Sequence, residues 1–179
     1  MHVTLRATRR LPSLRRQVTF AQVRRALVET RLSWFRVVHF SVQADHVHLL
    51  VEARDKICLS RGVAGLTARM ARSLNRVLGR RGRLWSDRFH ARALRTPREV
   101  RRGLVDVIMN WRKHVPEAMG LDPCSSAEWF EGWKAPPATG TLQRCAGDRP
   151  LAPSRTWLLA QGWKRHGLLG PNERPRGFV

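Results

Sequence analysis

Two apolar runs separated by a two-residue break constrain this chain more than any other feature: Phe35 to Gln43, rich in Val and Phe, then Ala44-Asp45, then His46 to Ala53. Runs of that length around so short a turn predict an antiparallel hairpin. Successive side chains of a strand point to opposite faces, so His46 and His48 stand on one face and Val47 and Leu49 on the other. Two neutral imidazoles over one spot are a ready pair for a divalent metal, because each offers a lone pair without adding negative charge. The alternative is that they form only the polar face of a half-exposed strand.

The remaining periodicities place elements around the hairpin. Residues 2–8 alternate as a first strand, and Phe20, Val23 and Leu27 recur at helical spacing within 18–31. A loop at 54–59 leads to a second helix over 60–78, and 91–95 read as a short last strand. Thr96, Pro97 and Glu99 form a capping box that opens a further helix, expected to run to about His114 with Val100, Leu104, Val107 and Trp111 as its core stripe. The order βαββαβ plus a final helix predicts an α+β, ferredoxin-like antiparallel sheet. Glu99, Gly103, Asp106, Asn110 and Lys113 share a second face of that last helix, where Gly103 permits close backbone approach and the oxygens of Asp106 and Asn110 offer a third metal ligand.

Charge names the partner. The chain carries 34 Lys+Arg against 13 Asp+Glu, formally +21, which makes a polyanion the expected ligand through phosphate neutralisation and counterion release. An acidic membrane surface would call for an amphipathic segment or anchor, and no apolar run approaches the roughly 20 residues needed to span a bilayer. Lysines occur only at Lys56, Lys113, Lys134 and Lys164; arginine suits bidentate phosphate and guanine contacts, although a GC-rich genome also favours its codons. The second helix sets Arg69, Arg72, Arg76 and Arg80 beside its apolar stripe of Leu66, Met70, Leu74 and Val77. That ridge is expected to track phosphates, with Arg81 and Arg83 continuing it in the next loop. Arg88 and His90 alternate with Trp85 and Phe89; the first two are assigned to DNA, the aromatics to packing. Cys58, Cys124 and Cys145 lack Cys-x-x-Cys spacing, and the first residues have no apolar signal core, so a reducing, cytoplasmic setting is expected.

Three separated motifs, His39 to Val51, Arg83-Leu84-Trp85-Ser86-Asp87-Arg88-Phe89-His90, and the helix end Asn110-Trp111-Arg112-Lys113-His114, resemble the IS200-like tyrosine transposases, and most closely their REP-associated branch. The likeness runs from about residue 2 to 134, with a softer echo at 157–167. It implies the same ferredoxin-like fold and a metal-dependent single-strand DNA endonuclease and transposase, similar to the rolling-circle nucleases in its His-hydrophobic-His pair. By position His46 and His48 match the metal pair, Asn110 the helix amide that completes it, and Asp106 the tyrosine nucleophile. Magnesium or manganese, a single-stranded or hairpin DNA partner and a monomeric or homodimeric state are implied in the same way; by ligand softness alone manganese, iron or zinc would suit.

Here the chain departs from the pattern: the nucleophile position is Asp106, and the sequence contains no tyrosine. A phosphotyrosine cannot form on it, and a carboxylate beside a divalent ion is better suited to binding metal than to attack, since attack would give a labile mixed anhydride. Strand transfer is therefore expected to be impaired. The alternatives are a hairpin or single-strand DNA-binding module that does not cut, a hydrolase in which metal-bound water replaces the tyrosine, and an RNA-binding domain on the same fold, which wants an Arg/Lys-Gly-Phe pattern absent from these strands. The transposase-like domain is expected to span 1–134. Residues 135–179 form a Pro/Gly-rich linker and a short helix around Trp157, Leu158 and Trp163, serving either packing or target recognition.

Overall fold

A computed structural model describes residues 1–9, 11–30, 32–115, 117, 120–135 and 149–175. The hairpin forms as expected: β2 (Phe35–Val42) pairs with β3 (His46–Ala53). β3 also pairs with β1 (His2–Arg6), and β1 with β4 (His90–Arg92), all antiparallel, in the order β2-β3-β1-β4. With α1 (Gln17–Val28) after β1 and α2 (Lys56–Val77) after β3, this is the ferredoxin-like split βαβ arrangement.

The sheet is buried on both faces. Val3, Leu5, Val47, Leu49 and Val51 pack with Val23 and Leu27 of α1 and Leu66, Met70 and Leu74 of α2. Leu50 and Val38 belong to a second core formed with α3 (Pro97–Ile108) through Val100, Leu104, Val107 and Ile108. This explains why Leu49, Leu50 and Val51 are apolar in succession where a one-sided strand would alternate. On β2 a register shift between Val37 and His39 turns His39 toward the second core, where its ring meets Phe130 edge-on.

Several boundaries differ from the sequence reading. The first turn of α2 begins at Lys56, because the Asp55 carboxylate accepts from Cys58 N at 2.7 Å and caps a turn that the sequence predicts as loop. β1 stops at Arg6, with Ala7 making only a bridge to Trp85. β4 ends at Arg92 because its ladder partner there is His2, where β1 begins. The capping box of Thr96 and Glu99 is present, but α3 stops at Ile108 and a separate turn, α4 (Trp111–His114), follows. Met109 is buried, a position a continuous helix would have turned away from the Val100–Leu104–Val107 stripe. The break brings it inward, leaves Trp111 half-buried at the surface and buries Arg112, which donates to Gly120 O.

The aromatic segment after α4 docks as anticipated: Phe130 meets Trp133 edge-on and lies tilted against Trp163. The expected single late helix is α5 (Trp157–Ala160) followed by a 3-10 turn, Gly162–His166, with Leu159, Trp163 and Leu169 buried in the α3 core. Most of the anticipated linker, 136–148 with Cys145, lies outside the described residues. Among the described residues no helix is long and apolar enough to cross a membrane.

Candidate metal centre and nucleic-acid surfaces

On the α3 side of β3 the rings of His46 and His48 lie 4.7 Å apart between centroids and nearly perpendicular. Each Nδ1 is already engaged. That of His46 donates to Asp45 Oδ1 at 2.7 Å, and that of His48 lies 3.2 Å from both Thr4 Oγ1 and His2 Nε2. Among the described residues neither Nε2 has a hydrogen-bond partner, an arrangement like that in which a second partner fixes the orientation of a ligating imidazole.

The helix facing them approaches closely because it has a glycine at the contact. A Cβ on Gly103 would lie 2.8 Å from Leu94 Cδ1 and 3.6 Å from Leu50 Cδ2. One turn on, Asp106 and Asn110 enter the same cavity as His46 and His48, about 420 Å³ in volume and lined also by His2, Thr4, Arg6, Asp45, Lys113, His114 and Pro175. The expected constellation of two histidines, an amide and the carboxylate in the tyrosine position is thus brought together in one place.

Burial favours the neutral imidazole at His48 and at its neighbour His2. Burial, then the neighbouring histidines and Lys113, hold His48 down to about 3, and burial with Arg92 holds His2 down to about 4. His114, whose ring lies 5.7 Å from His46, is lowered by burial and by His46. Burial pushes the Asp106 carboxyl up to about 6, against the opposing pull of Arg92, Lys113 and Arg102. Asn110 is buried, and among the described residues its Oδ1 has no hydrogen-bond partner. An orphan amide oxygen in a cavity costs free energy unless something outside the chain uses it. Among the described residues no group of three or more His, Cys, Asp or Glu side chains is arranged to hold a metal ion. The candidate donors are two imidazole nitrogens and that amide oxygen, a set whose softness suits manganese, iron or zinc.

The family model described as "Transposase IS200 like" matches residues 1–99. The chain belongs to the IS200-like transposase family. The match takes in β1 through the first turn of α3, with His46 and His48, and ends at Glu99, so Asp106 and Asn110 lie beyond it. No curated protein and no solved structure matches the chain.

The arginines anticipated as DNA contacts lie elsewhere on this IS200-like scaffold. Arg69, Arg72 and Arg76 line an open groove of about 450 Å³ between α1 and α2, shared with Gln22, Arg25, Glu29 and Ser73, on the side of the sheet away from the histidines. Arg69 is partly spent there, donating to Thr30 Oγ1 at 3.2 Å. Arg80 turns back on Arg83 O at 3.1 Å, and Asn75 Nδ2 donates to Gly82 O at 2.8 Å, so the basic loop has an internal frame that leaves Arg81 and Arg83 exposed. Arg88 is exposed; His90, the ladder partner of Thr4, stands on the same face of the sheet as His48. Trp85 packs as expected, its Nε1 donating to Thr67 O. His2, Thr4, Arg6, Arg92, Lys113 and His114 were not anticipated as site residues. The alternation His2-Val3-Thr4 carried the signal for two of them, but it becomes informative only once β1 is known to pair with β3.

Proposed function

We propose that this IS200-like transposase binds single-stranded or hairpin DNA with one phosphodiester drawn into the cavity of His46, His48 and Asn110, and that it cannot transfer strands through phosphotyrosine. The observation carrying this reading is that Asn110, whose buried Oδ1 has no hydrogen-bond partner among the described residues, lines the same cavity as the two histidines. Magnesium or manganese, held by His46, His48 and Asn110 when bound, would polarise the phosphoryl oxygens. Asp45, Thr4 and His2 hold the imidazoles in the ligating orientation, while Lys113 and Arg6 add positive charge at the cavity wall. Asp106 occupies the place of the attacking residue in the resemblance, and its carboxyl is a poor substitute for a phenol because the product would be a labile acyl phosphate. The arginine groove of α2 supplies a second, sequence-independent hold on the backbone.

Labelled hairpins from the palindromes nearest the gene, incubated with magnesium or manganese, test this directly. Wild type should bind without cutting, and Asp106→Tyr should cut and become covalently attached to the 5′ phosphate. Failure of both proteins to bind any single-stranded or hairpin DNA would sink the reading. A second reading, hydrolysis by water, is favoured by the Asp106 carboxyl near 6, a value suited to accepting a proton at neutral pH. Cutting by wild type with no covalent adduct, abolished in Asp106→Asn, would establish it instead. Binding that required the 2′-hydroxyl would turn the assignment toward RNA.

A further inference from the structure

Trp111 is the residue that the metal centre leaves unexplained. Its spacing from Val107 would have placed it in the α3 core, and the break after Ile108 instead sets it half-buried at the surface. There it lines a second cleft of about 230 Å³, together with Ala44 and the exposed Val115. This cleft shares Asp45, His46 and His114 with the larger cavity, so the two adjoin at His46.

Among the described residues the one arginine that lines the second cleft is already paired. Arg15 lines it, but its guanidinium gives Nη2 to Asp122 Oδ1 at 2.7 Å and Nη1 to Asp122 Oδ2 at 3.0 Å and to Val42 O at 2.8 Å. Asp122 is fully buried, so this pair is fixed, with the guanidinium carbon 5.9 Å from the Trp111 ring centre. A neutralised arginine held over an indole is a weak phosphate grip, in contrast to Lys113 in the neighbouring cavity. The volume lies below the roughly 300–1,000 Å³ of pockets that take drug-sized ligands, which leaves room for one heterocycle.

We infer that the Trp111 cleft receives one unpaired nucleobase of the strand whose phosphate lies at His46 and His48. Stacking on an aromatic side chain is the usual way a protein holds an unpaired base, and it tolerates any base because each has a π-face. The inference rests on the reading of the adjoining cavity as a single-stranded DNA site, and it adds a fixed register: the nucleotide in the cleft sets which phosphate reaches the histidines.

The test is an abasic scan. A fluorescent hairpin with single-stranded arms, taken from the palindromes nearest the gene, is titrated with the full chain without divalent metal, each arm nucleotide being replaced in turn by an abasic residue. Wild type should lose about tenfold in affinity at one position. Trp111→Ala should bind the intact probe about tenfold more weakly and show no further loss at that position, whereas Trp111→Phe should keep the wild-type profile. Lys113→Ala should weaken binding evenly across the scan. Tight binding by wild type with a flat scan would overturn the cleft assignment and leave the DNA-binding reading standing, as would an abasic penalty that survives in folded Trp111→Ala. No binding of any hairpin by wild type would overturn both. If Trp111→Ala does not fold, the wild-type scan decides by itself.

Discussion

Glu52 and Asn110 are both buried polar residues at the interface of β3 with the layer that covers it, and their surroundings are opposite. The Glu52 carboxylate accepts from Arg36 Nη2 at 2.6 Å, from Thr156 Oγ1 at 2.7 Å and from the backbone nitrogens of Arg155 and Thr156. Asn110 Oδ1 accepts from no group among the described residues. His46 and His48 lie on the same face of β3 as Glu52, beyond Leu50, so one strand face is saturated at one end and open at the other. The saturated end attaches the tail; the open end is where a ligand has something to gain.

Acid should give the largest effect, and it acts on both ends together. Burial holds His39 and His48 down to about 3 and His2 to about 4. Below the ordinary imidazole value of 6.5 the unfolded chain takes up protons that the folded chain refuses, so stability is lost as pH falls from about 6.5 toward 3. Glu52 joins only lower down. Burial alone would raise its carboxyl, but the Arg36, Thr156 and Arg155 donors outweigh that and hold it below the ordinary 4.5. Its contribution is intact above 4.5 and is lost as pH falls through the lowered value. Melting temperatures that stayed level from pH 7 down to 4.5 would contradict the neutral burial of these histidines.

Removing the saturated carboxylate comes next. Glu52→Ala strands Arg36 and the turn at Thr156, and should cost about 3 kcal/mol in urea denaturation. At the open end His46→Ala should lower manganese affinity about a hundredfold by calorimetry with little change in the urea midpoint. The smallest effect carries the sharpest contrast. Asn110→Ala removes an acceptor that nothing satisfies, so the chain should fold as well as before or gain up to about 1 kcal/mol, while its manganese affinity drops. Destabilisation of Asn110→Ala comparable to that of Glu52→Ala would erase the distinction between the two sites.

Local periodicity encodes the hairpin, the placing of His46 and His48 on one face, the capping box at Thr96, and the element order that implies the ferredoxin-like sheet; these are legible in the amino-acid sequence. The partners of His48 are not. Thr4 and His2 reach it only through the pairing of β1 with β3, a long-range register that no window of sequence contains. The break after Ile108 is hidden for a related reason. Burial of Met109 depends on a core completed by Leu159, Trp163 and Leu169 from the far tail, and that core overrides the simple stripe that would have kept Trp111 inside. Glu52 likewise reads as an ordinary strand residue, because Thr156, which meets it, lies 104 positions further along the chain.

The tail's attachment also bears on how the protein can be handled. Leu159, Trp163 and Leu169 are the lid of the core that holds α3 against the sheet. A chain cut after Lys134 would leave Val38, Val105 and Met109 without that cover, an adhesive patch on an otherwise strongly cationic and self-repelling particle. Light scattering should find the shortened protein self-associated at salt concentrations that screen the repulsion, where the full chain stays dispersed. The segment that looks most like an appendage is part of the core it covers.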